Sequence, residues 1–293
     1  MSISSRLLEK AFVLTGAARP MSPERFYKKL RKNAVTHKRG EKVKSCFLGV
    51  KTEVGVYCGM RYFVFSPREE ESADVVMYLH GSGYMNVHLA AQERFAANIA
   101  KNTHLKVYFP IYPKIPLCTA VSSYAVLNNF YSFLLKQGNV ILVGDSSGGA
   151  LALALASERK EARLVVAVSP WVDLDLDGRA DEMKEDVLLS PDTLRRAARL
   201  WRYDLPMTDV RISPTHGDFA GKKIYLFVAE KEIFRPYIRE FYEKKSAQGA
   251  EIFYREGAGE QHDYPLFPTP EGRAARMMIY DIISSAAYKR GER

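Results

Sequence analysis

The stretch Val143-Gly144-Asp145-Ser146-Ser147-Gly148-Gly149 decides the fold. It joins the apolar run Val140-Ile141-Leu142-Val143 to an alanine-rich segment over 149–157, and so reads as a strand turning sharply into a helix with a serine at the turn. A serine hydroxyl is a weak nucleophile at neutral pH. It must be held exposed, beside a base and beside donors that stabilise a tetrahedral oxyanion. So tight a turn admits only small residues two before and two after the nucleophile. Ser146 has Gly144 and Gly148 there, whereas a frame on Ser147 puts Asp145 at the first place. Register selects Ser146.

Upstream, the buried-type strand Val75-Val76-Met77-Tyr78-Leu79 ends at His80-Gly81-Ser82-Gly83-Tyr84. Small residues in that turn let the N–H groups of Ser82 and Gly83 face a substrate oxygen, joined by the N–H of Ser147 at the start of the elbow helix. Losing one such donor typically costs about 10²- to 10³-fold in rate.

Six histidines compete for the role of base. His262 lies in the loop Gly257-Ala258-Gly259-Glu260-Gln261-His262-Asp263, after the last short strand, whereas His37, His88, His104 and His216 sit in helical or charged surroundings and His80 belongs to the donor turn. The order serine, acid, histidine along the chain then requires a carboxylate between them. Glu230, Glu232 and Asp173 all follow apolar strands, and Asp263 adjoins the histidine. Glu232 is preferred because it lies just past a strand end, where a carboxylate turns toward a loop histidine; Glu230 and Asp173 remain alternatives.

Working outward, segments 43–50 and 61–65 read as an antiparallel pair with a turn near Gly55 or Gly59. Strands and helices then alternate: a helix over 89–101 closed by Asn102, a strand over 107–112, a helix over 121–135, the elbow, a strand over 164–168, a strand over 224–228, a helix over 236–248, a strand over 252–254 and a C-terminal helix. Continuous apolar strands alternating with helices imply an α/β fold whose mostly parallel sheet is covered on both faces. Reactive groups in such sheets gather at the carboxyl ends of the strands.

The rhythm breaks over 175–208, an insertion whose helix starts with Ser190 as N-cap and Pro191 in the first turn. Its face Leu194, Ala197, Leu200 and Trp201 is expected to lie over the sheet edge. With the N-terminal helices of about 1–40, of which the first presents Leu7, Leu8, Ala11, Phe12 and Leu14 on one side, it forms a helical cap on a single domain spanning 1–293.

The 293 residues are 47% apolar and 26% charged, enough for one large core. Three cysteines, Cys46, Cys58 and Cys118, make no disulfide framework and favour a reducing, cytoplasmic setting. The run Ala11-Phe12-Val13-Leu14 is too short for a signal-peptide core, and no stretch of about 18 apolar residues suggests an integral membrane segment. The net charge of +9 is concentrated partly in Lys28-Lys29-Leu30-Arg31-Lys32 and in 37–42, which read as a solvated helix face and its exit. No nucleic-acid-binding pattern accompanies it.

These motifs resemble the hormone-sensitive lipase family of α/β-hydrolases, which includes many bacterial carboxylesterases. The resemblance runs from about Val75 to His262, with the N-terminal helices similar to that family's cap. His80-Gly81-Ser82-Gly83 stands for the family's His-Gly-Gly-Gly, Gly144 to Gly149 for its Gly-Asp-Ser-Ala-Gly-Gly, and Ser169-Pro170-Trp171-Val172-Asp173 and Arg211-Ile212-Ser213-Pro214 for segments flanking the cap insertion. Glu232 takes the place of an aspartate, Ser82 that of a glycine, and 112–116 only partly keeps the family's loop. The resemblance implies an α/β-hydrolase fold and hydrolysis of a small-molecule, short-chain acyl ester through an acyl-enzyme, with no metal or cofactor. It implies Ser146, Glu232 and His262 as catalytic residues, Ser82, Gly83 and Ser147 as the oxyanion hole, and Tyr84, Trp171 and Trp201 as pocket lining. An amidase or deacetylase uses the same constellation, and a binding protein that has lost catalysis is the reading from another class. A homo-oligomer is compatible with the sequence.

Overall fold

The computed structural model describes residues 1–43, 47–70 and 72–287. Helices α1 (Ile3–Thr15) and α2 (Pro23–Arg39) precede the hairpin β1 (Val50–Tyr57) and β2 (Met60–Pro67). Next come β3 (Val75–Leu79), α3 (Ala90–Thr103), β4 (Lys106–Pro110), α4 (Ala120–Leu134), β5 (Val140–Asp145), α5 (Ser146–Glu158) and β6 (Leu164–Val168). An insertion carries α6 (Gly178–Glu182) and α7 (Pro191–Arg202), and β7 (Lys223–Ala229), α8 (Arg235–Ala247), β8 (Glu251–Gly257) and α9 (Pro270–Ala286) follow.

The strands form one sheet in the order β1-β2-β4-β3-β5-β6-β7-β8. The hairpin is antiparallel to itself and to β4, and every pairing from β4 across to β8 is parallel. Strands β3, β5 and β6 are buried at every position, so both of their faces need covering. Side-chain alternation sends Val75, Met77 and Leu79 into a core with α4, α5, α7 and α8, and Val76 and Tyr78 into a second core with α3 and α9. This is an α/β-hydrolase fold, with the elbow between the two central strands and α5.

Several boundaries differ from the sequence reading. The first strand lies at Val50–Tyr57 rather than 43–50, of which residues 44–46 lie outside the described residues. As a sheet edge it has no strongly buried face, with Val54 and Val56 largely exposed, so hydrophobic pattern does not locate it. Its turn is Cys58-Gly59, both at positive φ, whereas Gly55 is mid-strand beneath the Tyr62 ring. Helix α3 runs past Asn102 and ends at His104, which takes the left-handed conformation. The first helix keeps Leu8 and Phe12 partly covered, with Phe12 against Phe267, but leaves Leu7 and Leu14 exposed. Helix α7 lies over the middle of the sheet rather than its edge: Leu194 faces Gly83 and Trp201 stacks on Tyr84, both just beyond the end of β3. No helix among the described residues is long and apolar enough to cross a membrane.

The basic stretch after α2 hides a buried charge cluster. Glu41 is 3% exposed and accepts from His37 Nδ1 at 3.0 Å, from the backbone N–H of His88 at 2.9 Å and from its Nδ1 at 2.5 Å, and pairs with Lys114 Nζ at 2.8 Å. It thereby ties the segment after α2 to the loops that follow β3 and β4. Burial alone would push its carboxyl up, but the bonds from His37 and His88 and the Lys114 charge outweigh that and hold it well below the usual range.

Glu41→Gln should cost about 3–5 kcal/mol of stability at pH 7, measured by urea unfolding, because it removes the charge that offsets the buried Lys114 ammonium. A depressed carboxyl stabilises fully above its unfolded value of about 4.3 and progressively less as pH falls below it, so the gap between wild type and variant should narrow in acid. A gap that stays constant from pH 7 to pH 3 would contradict this role.

Candidate active site

The elbow is built by close approach. A Cβ on Gly148 would collide with the backbone of Leu79 and His80, and one on Gly144 with the backbone of Gly148 and Gly149. Ser146 itself sits at φ 52°, a left-handed conformation that costs a non-glycine residue about 1–3 kcal/mol and that the turn imposes. Its carbonyl accepts the Trp171 N–H at 3.1 Å, which fixes the turn from the end of β6.

Asp145, fully buried, joins the elbow to the donor turn. One carboxylate oxygen accepts from Tyr78 Oη; the other accepts from the Gly81 N–H at 2.9 Å and Gln92 Nε2 at 2.7 Å. Burial raises its carboxyl above the usual range, against the pull of those three donors. The Ser82 N–H donates to Ser147 Oγ at 3.0 Å, so it is engaged within the protein, while Gly83 and Ser147 have N–H groups with no hydrogen bond among the described residues. The hydroxyl of Ser82 lies 3.0 Å from Tyr112 Oη, which donates to the His80 carbonyl at 2.9 Å. The Ser147 hydroxyl thus bonds to the turn after β3, and the Ser82 hydroxyl ties that turn to Tyr112 in the loop after β4.

His262 and Glu232 are brought together from two loops, with Nδ1 2.6 Å from Glu232 Oε2. The other oxygen of Glu232 accepts the Ala229 N–H at 3.0 Å, which pins the acid at the end of β7. The alternatives are engaged elsewhere: Glu230 accepts from the Gly259 N–H, and Asp173 from the Asp175 N–H and Ser213 Oγ. Burial alone would lower the His262 imidazole, but the charge of Asp263, the bond and charge of Glu232 and the charge of Asp186 push it up to about 9.

Asp186 is a residue the sequence reading missed. It reaches from the insertion to the acid loop, accepting the N–H groups of Ile233, Leu188 and Leu189. No local motif marks it, because its role exists only once the insertion folds back over β7.

The three aromatic residues expected to line the pocket form one stack. Trp201 lies on Tyr84 at 4.3 Å, Tyr84 on Trp171 at 5.4 Å, and Trp171 on Phe234, whose ring meets His262 edge-on. Tyr84 Oη and both tryptophan Nε1 atoms are buried without a hydrogen-bond partner. Ser146 is 7% exposed and His262 4%, so both side chains are largely buried.

Comparison with known proteins adds independent observations. A family described as alpha/beta hydrolase fold matches residues 76–266. An acetyl-hydrolase of Streptomyces hygroscopicus is 30% identical over 68% of this chain and 72% of its own length, and an esterase of Acinetobacter venetianus 25% identical over 74% and 77%. Among solved structures, a Staphylococcus aureus protein superposes with a TM-score of 0.86 at 24% identity, covering 93% of this chain and 96% of its own. An esterase from the bacterial hormone-sensitive lipase family gives a TM-score of 0.82 at 18% identity over 97% and 99%. At those identities the two structures speak for the fold.

Glu232→Gln should lower the pH at which the His262 imidazole deprotonates by about one unit or more, followed by NMR of histidine-labelled protein, while Asp173→Asn leaves it in place. The opposite ranking would make Asp173 the partner of the histidine.

Proposed function

The chain belongs to the α/β-hydrolase fold family, and from that premise we propose that it is a serine carboxylesterase cleaving short-chain acyl esters through an acyl-enzyme. The observation that carries the reading is the Glu232–His262 pair at 2.6 Å, together with a strained serine elbow whose neighbouring N–H groups are open. The acetyl-hydrolase and esterase relatives support the same chemistry.

In this reading Nε2 of His262 removes the Ser146 proton as Oγ attacks the ester carbonyl. The carbonyl oxygen becomes an oxyanion facing the N–H groups of Gly83 and Ser147, with that of Ser82 added if Ser147 Oγ releases it. Collapse breaks the bond to the alcohol, which leaves with the proton from Nε2, and water repeats the sequence to free the acid. Glu232 holds the Nδ1–H tautomer and stabilises the imidazolium. The stack of Tyr84, Trp171 and Trp201 fills the space beside the serine and favours small acyl groups; their buried, unpartnered polar atoms are available to a polar portion of the substrate. The sparse cysteines fit a cytoplasmic enzyme.

Purified protein should hydrolyse a short-chain aryl ester, and Ser146→Ala should lower kcat/KM by roughly 10⁴-fold or more with unchanged circular dichroism. Full turnover in the variant would refute the assignment.

A further inference from the structure

The nitrogen of His262 that must take the serine proton is not bonded to Ser146 at rest. No hydrogen bond links Ser146 Oγ to the imidazole; instead Nε2 faces a second carboxylate, Asp263 Oδ2, at 3.4 Å. The imidazole thus lies between two acids, bonded to Glu232 through Nδ1 and 3.4 Å from Asp263 at Nε2.

The placement of Asp263 is built rather than incidental. Its backbone takes φ 61°, and its N–H donates at 3.0 Å to Ser169 Oγ, from a residue itself at φ 45° just beyond β6. Two strained non-glycine residues therefore hold each other. Such strain persists where the surroundings impose it, and it clusters at sites that use it. Asp263 Oδ1 is buried with no hydrogen-bond partner, a costly state for a carboxylate oxygen that no structural bond of the loop explains.

We propose that Asp263 is a positioning residue whose carboxylate competes with Ser146 for Nε2 of His262, keeping the imidazole in an ion pair at rest and freeing it for base catalysis only when that carboxylate is neutralised or turned away. This rests on the serine-hydrolase reading above. The ionisable groups facing the pair come from several elements: Glu232 from the loop after β7, Asp186 from the insertion, Asp145 from β5 and Tyr78 from β3. Burial raises the Asp263 carboxyl above its usual range while the charge of His262 pulls it down, and His262 in turn is pushed up to about 9, so the imidazole gives up its proton to water only at alkaline pH. Until then Nε2 carries a proton and has no lone pair for the Ser146 hydroxyl.

The test is the titration of His262 by NMR in wild type, Asp263→Asn and Asp263→Glu, beside the pH profile of kcat/KM on a short-chain aryl ester. The wild-type imidazole should titrate near 9, the Asn variant about one unit or more lower, and the Glu variant near wild type. The rising limb of the profile should move with it, making Asp263→Asn about tenfold or more faster at pH 7. A midpoint that stays or rises in the Asn variant overturns the proposal. Should that variant fail to fold, Ser169→Ala, which removes the hydroxyl anchoring Asp263, should also shift the midpoint downward, and an unmoved midpoint overturns it equally. If wild type cleaves no ester at any pH, the esterase reading fails, while the imidazole titration still decides the role of Asp263.

Discussion

The carboxylate of Asp145 is the tie on which this site depends. It stands one residue before Ser146 at the end of β5, and it holds Tyr78 of β3, the Gly81 N–H of the donor turn and Gln92 of α3. Gln92 also donates to the Gly81 carbonyl at 2.8 Å, closing the ring. A buried carboxylate is costly unless its oxygens are satisfied, and here the donors that satisfy it are those that set the spacing between Ser146 and the turn after β3. Neighbouring parallel strands would place the two loops near each other; Asp145 fixes them to each other.

A second tie runs from α2, the segment after it and α7. Glu41 binds His88 and Lys114, Asn33 and His37 of α2 bond to the Met85 carbonyl, and Trp201 of α7 stacks on Tyr84. Each partner lies within a few residues of the donor turn or in the loop beneath it. The segment after α2, helix α7 and the turn after β3 are thus joined by direct contacts.

What the sequence disclosed follows from where the physics is local. Strands β3 and β6 are legible to the residue because a strand buried on both faces must be apolar throughout. The elbow is legible because close backbone approach demands glycine at fixed spacing. Edge strand β1 is not, since half of its side chains face water, and neither is the outward turn of Leu7 and Leu14 on α1. The carboxylates illustrate the same divide. Glu232 is marked by its place after a strand, whereas Glu41, Asp186 and the inward turn of Asp263 depend on segments distant in sequence. A charge run such as 37–42 looks solvated until the fold shows what lies against Glu41.

The central claim, that strand β5 and Asp145 hold Ser146 and no other serine as an activated nucleophile, is tested most directly by treating the folded protein with a fluorophosphonate and mapping the adduct by peptide mass spectrometry. The account predicts a single phosphonylated residue, Ser146, with labelling that rises as His262 deprotonates. An adduct on Ser147, or none at any pH, would contradict it.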